Sequence, residues 1–208
     1  MIEVFNLNYY FYLAFIISYL LGSIPFGFIF YKYYKNDDIR KFGSGNIGAT
    51  NINRLLGKKL GAITLLLDIS KCIFVSYIAK SELGPDFASV CGCFCILGHL
   101  FPIWLKFRGG KGVACLLGML TVISWPLAII FILTWALIVK LLKYSALGAI
   151  ASIIIVLLSF KIILYLQFNF SLWLWIPGNP LDFNLLFLIC MLIIFRHSKN
   201  IKELMHIN

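Results

Sequence analysis

The chain has 208 residues, of which 62% are hydrophobic and only 12% are charged. A soluble domain usually carries about 25% charged residues, so this sequence has too little charge to cover a water-facing surface. The composition excludes a soluble enzyme, a disordered chain and a nucleic-acid-binding domain. The net charge of +10, from 18 Lys and Arg against 8 Asp and Glu, must then be explained by where the charges lie.

Long apolar runs predict membrane helices, because about 20 apolar residues are needed to cross roughly 30 Å of hydrocarbon. The stretch 112–139 is too long for one span, and Ser124, Trp125 and Pro126 interrupt it. Proline ends a helix and tryptophan favours the interface, so we expect two short helices there. The predicted spans are 9–31, 60–79, 87–105, two within 112–139, 146–166 and 182–195. The predicted fold class is an all-α integral membrane protein with seven transmembrane helices, in a single polytopic domain over residues 1–208.

The distribution of basic residues predicts the orientation of these helices. With the N-terminus outside, 15 of the 18 basic residues fall in segments that face the cytoplasm. Those segments are 32–59, 106–111, 140–143 and the tail from Arg196. Because basic residues concentrate on the cytoplasmic side of membrane proteins, we expect an outside N-terminus and a cytoplasmic C-terminus. Membrane lipid then surrounds the chain, and the +10 charge needs no nucleic-acid partner.

The cysteines do not predict a metal site or a disulfide framework. Cys91, Cys93 and Cys95 are separated by single residues, unlike the paired C-x2-C spacing of zinc sites. A metal site with the nearby His99 is the alternative, but small apolar residues packed between helices are the favoured interpretation. Neither a metal nor an organic cofactor is expected.

A first polar cluster fills the predicted cytoplasmic loop over residues 40–54. Three glycines match G-x-G-x-x-G, but no βαβ unit surrounds them and Asp68 lies in an apolar helix, so a dinucleotide fold is excluded. Glycines still let backbone N–H groups converge on an anion beside a helix N-terminus. The cluster's candidate binding residues are Gly43, Ser44, Gly45, Asn46, Gly48, Thr50, Asn51 and Arg54. A glycine-rich turn without a ligand is the alternative.

A second cluster opens the fourth predicted helix with the glycine–lysine step Gly109, Gly110, Lys111 and Gly112. Gly112 occupies the Ser/Thr position of a Walker P-loop, so a small phosphate ligand is favoured over ATP. An ordinary basic loop at a cytoplasmic face is the alternative.

A third cluster directly follows the last predicted span. His197 and Asn200 are three residues apart and therefore share a helical face. A basic tail that only binds anionic lipid is the alternative, although His and Asn contribute little to such anchoring. Asp68 and Lys71 form a further pair, one turn apart within the second span. Charges there are costly, so we expect them to pair with each other or to support the glycine loops.

These clusters, in this order, resemble those of the bacterial acyl-phosphate:glycerol-3-phosphate acyltransferases over the whole chain. The resemblance is carried by GSIPFG at 22–27, GSGNIGATN at 43–51 with Arg54, Asp68 with Lys71, GH at 98–99, FP at 101–102, GGKGVA at 109–114, YS at 144–145, and RH at 196–197 with NI at 200–201. Cys72 and Cys115 stand where the family commonly has glycine and threonine, which we interpret as packing differences.

The resemblance implies transfer of a fatty acyl group from acyl phosphate to the 1-hydroxyl of sn-glycerol 3-phosphate. The products would be lysophosphatidic acid and inorganic phosphate, in an early step of phospholipid biosynthesis. It also implies a bacterial cytoplasmic membrane, an active site facing the cytoplasm, and an upstream enzyme that produces acyl phosphate.

The same resemblance implies roles for the residues that match the motifs. The implied catalytic residues are Ser44, Arg54, Lys111, Ser145, His197 and Asn200. Phosphate binding is implied for Gly43, Gly45, Asn46, Gly48, Thr50, Asn51, Gly109, Gly110 and Gly112. Asp68, Lys71 and His99 are expected to support these loops without binding the substrates themselves.

Two other functions fit the composition. A transporter of a small phosphorylated solute would have glycine-interrupted helices and buried charges, but it predicts an inverted repeat and binding residues at the midplane. No convincing repeat is present, and the polar motifs lie at one face. A non-enzymatic lipid-binding subunit would not need three phosphate-type clusters. The H-x4-D signature of thioester-dependent acyltransferases is absent, so we expect direct attack by the glycerol hydroxyl.

Overall fold

The structure is a computed structural model that describes residues 2–198 and residue 200, with side chains from residue 9 onward. All regular elements among these residues are helical, which confirms the all-α class. The helices are α1 (Ile2–Gly22), α2 (Phe26–Lys35), α3 (Ala49–Leu56), α4 (Lys58–Leu83), α5 (Phe87–Leu100), α6 (Val113–Ile123), α7 (Trp125–Leu142), α8 (Ser145–Phe170) and α9 (Pro180–Phe195). Short 3₁₀ turns at Ile39–Lys41 and Ile103–Leu105 lie in the loops after α2 and α5.

Several of these segments have the length and hydropathy of membrane spans. The five that are long enough are Tyr9–Lys35, Lys58–Leu83, Phe87–Leu105, Trp125–Leu142 and Ser145–Phe170. Both α6 and α9 are apolar but shorter, with 11 and 16 residues. At about 1.5 Å per residue, α6 extends only about 16 Å, roughly half of the hydrocarbon thickness. These lengths support an integral membrane protein, and the count of seven crossings stays a prediction.

Two proline positions break the apolar runs. The break predicted near Ser124 is confirmed, because α6 ends at Ile123 and α7 begins at Trp125 with Pro126 in its first turn. The first predicted span, 9–31, falls within the membrane-length segment Tyr9–Lys35, but its helix is interrupted. It ends at Gly22 and resumes at Phe26, since Pro25 has no N–H group and its ring clashes with the preceding turn.

The chain divides into two compact units, residues 1–119 and 120–208. In the first unit α1 packs on α5, α5 on α4 and α4 on α3. Between α1 and α5, the rings of Phe15 and Phe94 stack with centroids 4.9 Å apart, and the Tyr19 hydroxyl donates to the Phe101 carbonyl at 2.6 Å. The cluster of buried residues beneath the first polar loop comprises Tyr31, Ile39, Ile47, Ile52 and Leu105. This apolar cluster supports the loop that carries the first polar motif.

In the second unit α7 packs along α8, and α8 along α9. The turn between α7 and α8 is tight, because Lys143 adopts the left-handed conformation with φ 62°. A capping box begins α9: the Asn179 side chain accepts from the Asp182 N–H at 2.9 Å, and the Asp182 carboxylate accepts from the Asn179 N–H at 3.1 Å. The ring of Trp125, at the start of α7, lies 6.0 Å from that of Trp175 in the loop before α9, as expected of tryptophans at a membrane interface.

Candidate active site

The first polar loop is folded around the carboxamide of Asn51, which is 1% exposed. Its oxygen accepts from the Ser44 N–H at 3.0 Å, and its NH2 group donates to the carbonyl oxygens of Phe42 at 3.1 Å and Asn46 at 2.9 Å. Gly43 has φ 59°, and a Cβ there would collide with the Asn51 side-chain oxygen. One side chain on α3 therefore fixes the backbone of the glycine loop that precedes it.

Other polar groups of this loop face solvent. Ser44, Thr50 and Arg54 are exposed, and the side-chain oxygen of Asn46 accepts from the Gly48 N–H at 3.3 Å. Gly48 is the N-cap of α3, so the positive end of that helix adjoins the loop. The exposed side chains of the loop thus carry two hydroxyl groups and a guanidinium.

Arg40 connects the first and second polar loops. Its guanidinium donates to both oxygens of Asp38, with the shortest distance 2.6 Å, and to the Leu105 carbonyl at 3.0 Å. Asp38 also caps the 3₁₀ turn by accepting from the Arg40 N–H at 2.9 Å. The hydrogen bonds from Arg40 lower the pKa of Asp38, and the same bonds raise the pKa of Arg40. Both groups are therefore charged at neutral pH and hold the two loops together.

The glycine–lysine step of the second loop folds back onto the end of α5. The Gly109 N–H donates to the Leu100 carbonyl at 3.1 Å, and the Gly110 N–H donates to the His99 carbonyl at 3.0 Å. A Cβ at Gly110 would collide with Nε2 of the His99 ring, so only glycine allows this approach. Lys111 follows directly and is half-buried just before α6 begins.

Asp68, Lys71 and His99 form a buried polar group behind the second loop. The Lys71 ammonium lies 2.8 Å from the Asp68 carboxylate and 3.0 Å from Nδ1 of His99. It also donates to the Ile24 carbonyl at 3.0 Å. The predicted pairing of Asp68 with Lys71 is confirmed, and His99 joins it. These contacts connect the α1–α2 break, α4 and α5.

Within the described residues, one group has the donors for a metal ion: Asp68, His99 and Cys115, whose ligand atoms lie within 4.8 Å of one another. Cys91, Cys93 and Cys95 are not part of it. The Lys71 ammonium already contacts both Asp68 and His99, so a second cation would meet electrostatic repulsion there. The arrangement therefore suits a lysine better than a metal.

The remaining predicted catalytic residues lie in the second unit. Ser145 is the first residue of α8 and is half-buried, as is Asn200. The residues of the third cluster outside the described part of the chain are Lys199, Ile201 and Lys202.

The environment of His197 defines the proton position of its neutral ring. His197 is 2% exposed, and its Nδ1 lies 2.8 Å from the Ile193 carbonyl oxygen. A carbonyl oxygen only accepts hydrogen bonds, so Nδ1 carries the proton. Neutral His197 then has its lone pair on Nε2, which is the form that a general base requires.

Sequence reasoning missed two groups that hold the site together. The first is Arg40, which could be read from the sequence only as one more basic residue of a cytoplasmic loop. The second is the Ile24 carbonyl, for which Pro25 was the available signal: a proline break leaves nearby carbonyls without helical partners. Arg40 donates to the Leu105 carbonyl, 65 positions away in the chain. The Ile24 carbonyl accepts from Lys71, 47 positions away.

The fold and these loops define an integral membrane protein whose polar groups suit an anionic ligand. A family model described as glycerol-3-phosphate acyltransferase matches residues 12–207. The glycerol-3-phosphate acyltransferase of Thermotoga petrophila is 42% identical over 193 residues, which cover 92% of this chain and 91% of the relative. That of Bartonella henselae is 50% identical over 147 residues, covering 69% and 70%.

Solved structures agree with these relatives. The crystal structure of PlsY (YgiH), an integral membrane glycerol 3-phosphate acyltransferase, matches in its glycerol 3-phosphate form with a TM-score of 0.81 and 35% identity, covering 93% of this chain and 91% of that one. Its lysophosphatidic acid form matches with a TM-score of 0.78 and 34% identity, over the same shares of the two chains. The chain belongs to the glycerol-3-phosphate acyltransferase family, and the resemblance inferred from its motifs is confirmed.

Proposed function

We propose that this chain transfers a fatty acyl group from acyl phosphate to the 1-hydroxyl of sn-glycerol 3-phosphate. The products are lysophosphatidic acid and inorganic phosphate. The acceptor and the product are supported by PlsY, whose structures are a glycerol 3-phosphate form and a lysophosphatidic acid form. Acyl phosphate as donor rests on the motif resemblance, and it implies an upstream enzyme that makes acyl phosphate.

The observation that carries the proposal is the glycine–lysine step held against α5. The Gly109 and Gly110 N–H groups donate to α5 carbonyls and so fix the backbone that carries Lys111. An ammonium held directly before a helix N-terminus, here that of α6, is a group that binds a phosphate. We assign phosphate binding to Lys111 with Gly109, Gly110 and Gly112. Arg54 and the first loop, with Ser44 and the remaining motif residues, supply a second set of anion-binding groups for the second phosphate-bearing substrate.

We propose seven crossings with the N-terminus outside, so that the first residue of α4, Lys58, and the second loop lie at the cytoplasmic side of a bacterial cytoplasmic membrane. A site on this side admits phosphate groups from the cytoplasm while the acyl chain stays in lipid.

The chemical step is a direct acyl transfer. The 1-hydroxyl oxygen of glycerol 3-phosphate attacks the carbonyl carbon of acyl phosphate, the new ester C–O bond forms, and the C–O bond to phosphate breaks. Phosphate leaves with the bonding electrons, and Arg54 and Lys111 stabilise its charge. The hydroxyl proton moves to a substrate phosphate or to Nε2 of His197. Ser145 and Asn200 are assigned as catalytic residues on the motif match.

The test is a purified, detergent-solubilised chain supplied with acyl phosphate and labelled glycerol 3-phosphate, with acyl-CoA in a parallel reaction. We expect lysophosphatidic acid with acyl phosphate and none with acyl-CoA. Product from acyl-CoA alone would make the donor assignment wrong. No product from either donor, together with uptake of labelled glycerol 3-phosphate into proteoliposomes, would favour a transporter instead.

The role of His197 is tested in the same assay. With His197→Gln, a base mechanism predicts a loss of about 10²- to 10⁴-fold and an altered pH profile. Full activity with an unchanged profile would leave the substrate phosphate as the proton acceptor.

A further inference from the structure

The Lys71 ammonium makes three close polar contacts. It donates to the Ile24 carbonyl at 3.0 Å, lies 3.0 Å from Nδ1 of His99, and forms an ion pair with the Asp68 carboxylate at 2.8 Å. The side chains of Lys71 and Asp68 are 5% and 3% exposed. A buried ammonium with contacts to its own helix, to α5 and to the α1–α2 break has a fixed position, unlike the mobile lysines of a surface.

This arrangement determines the proton position on His99. A buried group of one carboxylate and one ammonium is electrically neutral if the imidazole is neutral, whereas a second cation would leave an uncompensated charge. Two groups face Nδ1 of His99: the Lys71 ammonium at 3.0 Å and the Asp68 carboxylate at 3.5 Å. An ammonium has no lone pair, so the shorter contact assigns Nδ1 as an acceptor from Lys71. The proton of neutral His99 therefore lies on Nε2.

The Nε2 side of the His99 ring faces the second loop. Nε2 is the atom that a Cβ at Gly110 would strike, and the Gly110 N–H donates to the His99 carbonyl at 3.0 Å. The His99 backbone and ring thus contact the same residue of the loop, one position before Lys111. The His99 ring therefore packs against the backbone that leads directly into Lys111.

We infer that Lys71 is a positioning residue for glycerol 3-phosphate binding, acting through His99 on the backbone of Gly110 and Lys111. The inference rests on the proposed function, because it takes the second loop as the glycerol 3-phosphate site. In this proposal Lys71 acts through His99 and not by contact with the substrate. It sets the orientation of the His99 ring, and Asp68 and the Ile24 carbonyl hold its ammonium in place.

The kinetic test compares variants that keep or remove the acceptor on residue 99. Gln can accept from Lys71 through its side-chain oxygen and can donate through its NH2 group, whereas Leu can do neither. With His99→Leu or Lys71→Met, we expect the KM for glycerol 3-phosphate to rise about tenfold or more and the KM for acyl phosphate to change less than about twofold. We expect His99→Gln to retain a KM within about threefold of wild type.

The matched control is Thr64→Val, which removes another buried polar group of α4. Thr64 is fully buried, and its hydroxyl donates to the Leu60 carbonyl at 2.8 Å within the same helix. We expect this variant to change the unfolding temperature and neither KM. If Lys71→Met and His99→Leu behaved like Thr64→Val, with a smaller active fraction and both KM values unchanged, Lys71 would be structural only.

A measurement on the wild-type chain tests the network without a variant that has to remain active. The ¹⁵N spectrum of histidine-labelled protein at pH 7, with His99 assigned by its loss in His99→Gln, is expected to place the His99 proton on Nε2. A proton on Nδ1, or on both nitrogens, would overturn the inference. If the wild-type chain formed no lysophosphatidic acid in the product assay, the proposed function would be wrong. The ¹⁵N spectrum would still show whether Nδ1 of His99 accepts from Lys71.

Discussion

The side-chain oxygen of Asn51 accepts a hydrogen bond from the backbone N–H of Ser44 at 3.0 Å. The NH2 group of the same side chain donates to two further carbonyls of the loop, so Asn51 acts as both acceptor and donor. A carboxamide carries an acceptor oxygen and an NH2 group with two donors in one neutral, planar unit. The position of Ser44 thus depends on a buried residue of α3.

Asn51→Asp is predicted to destabilise the first loop at almost unchanged side-chain size. The carboxylate keeps the acceptor but loses both donors, and it leaves two carbonyls without this partner and a buried charge. We expect a loss of about 2 kcal/mol or more in the free energy of unfolding and a large loss of acyltransfer. Thermal unfolding in detergent and the product assay measure the two effects.

Asn53→Asp is the control for this change, since Asn53 is exposed on the same helix. It is expected to alter the unfolding free energy by less than about 0.5 kcal/mol. Equal unfolding temperatures for the Asn51 and Asn53 variants would contradict the role assigned to Asn51.

Gly110→Ala is predicted to separate the second loop from α5. The added Cβ collides with Nε2 of His99, which is held by Lys71 and cannot rotate away without breaking that bond. We expect a cost of about 1–3 kcal/mol in unfolding free energy, as for other overpacked sites, with loss of glycerol 3-phosphate binding. Thermal unfolding with and without glycerol 3-phosphate measures both.

Gly48→Ala is the matched glycine replacement for the stability measurement. A Cβ there would have its nearest neighbour, the Asn46 amide, at 3.8 Å, and Gly48 has φ −79°, which any residue adopts. Its unfolding temperature is expected to stay close to that of wild type. If Gly110→Ala unfolded at the same temperature as wild type and were still stabilised by glycerol 3-phosphate, the His99 ring would not determine the position of the second loop.

Local chemistry made part of this fold predictable. Hydropathy gave the apolar helices, and the Ser124–Pro126 break followed from proline's missing N–H. The pairing of Asp68 with Lys71 followed from helical spacing, since residues three apart share a face. Each of these depends on residues close together in the chain.

Contacts between distant segments were not predictable in the same way. The sequence does not state which helices are neighbours, so nothing indicated that Lys71 would reach both His99 and the Ile24 carbonyl, 28 and 47 positions away. The proline at position 25 was visible, but a proline in an apolar run is tolerated in many membrane helices. Here the break leaves the Ile24 carbonyl without a helical partner, and Lys71 of α4 donates to it.

The Asp38–Arg40 pair predicts a pH-dependent contribution to stability. The pKa of Asp38 is lowered by its hydrogen bonds from Arg40. A carboxylate whose folded pKa lies below its unfolded value of about 3.9 stabilises the fold above that pH, and this contribution is lost as the pH falls through the folded pKa. We expect wild type to exceed Asp38→Asn by about 0.5–1 kcal/mol near pH 7.

The comparison with Asp38→Asn isolates the charge, because Asn still caps the 3₁₀ turn. The difference in unfolding free energy between the two chains should shrink as the pH is lowered through the folded pKa of Asp38. A difference that is constant from neutral to acid pH would assign the effect to the cap and not to the ion pair.

The orientation of the helices is testable with single added cysteines, because the native ones are buried apart from the half-buried Cys93. With seven crossings and an outside N-terminus, Glu82→Cys should react with a membrane-impermeant maleimide in intact spheroplasts. Lys35→Cys and Lys140→Cys should react only after the membrane is opened. The wild-type chain gives the background labelling.

Lys140 decides whether the short helix α6 crosses the membrane. If α6 entered and returned on the cytoplasmic side, α7 would run outward and Lys140→Cys would be labelled from outside, while Lys35→Cys would stay protected. We expect protection at both positions. An 11-residue helix extends about 16 Å, so a full crossing requires its cytoplasmic end to begin inside the membrane. Protection of Lys140 therefore also supports a recessed position for Lys111, directly before α6, where a phosphate group and an acyl chain can meet.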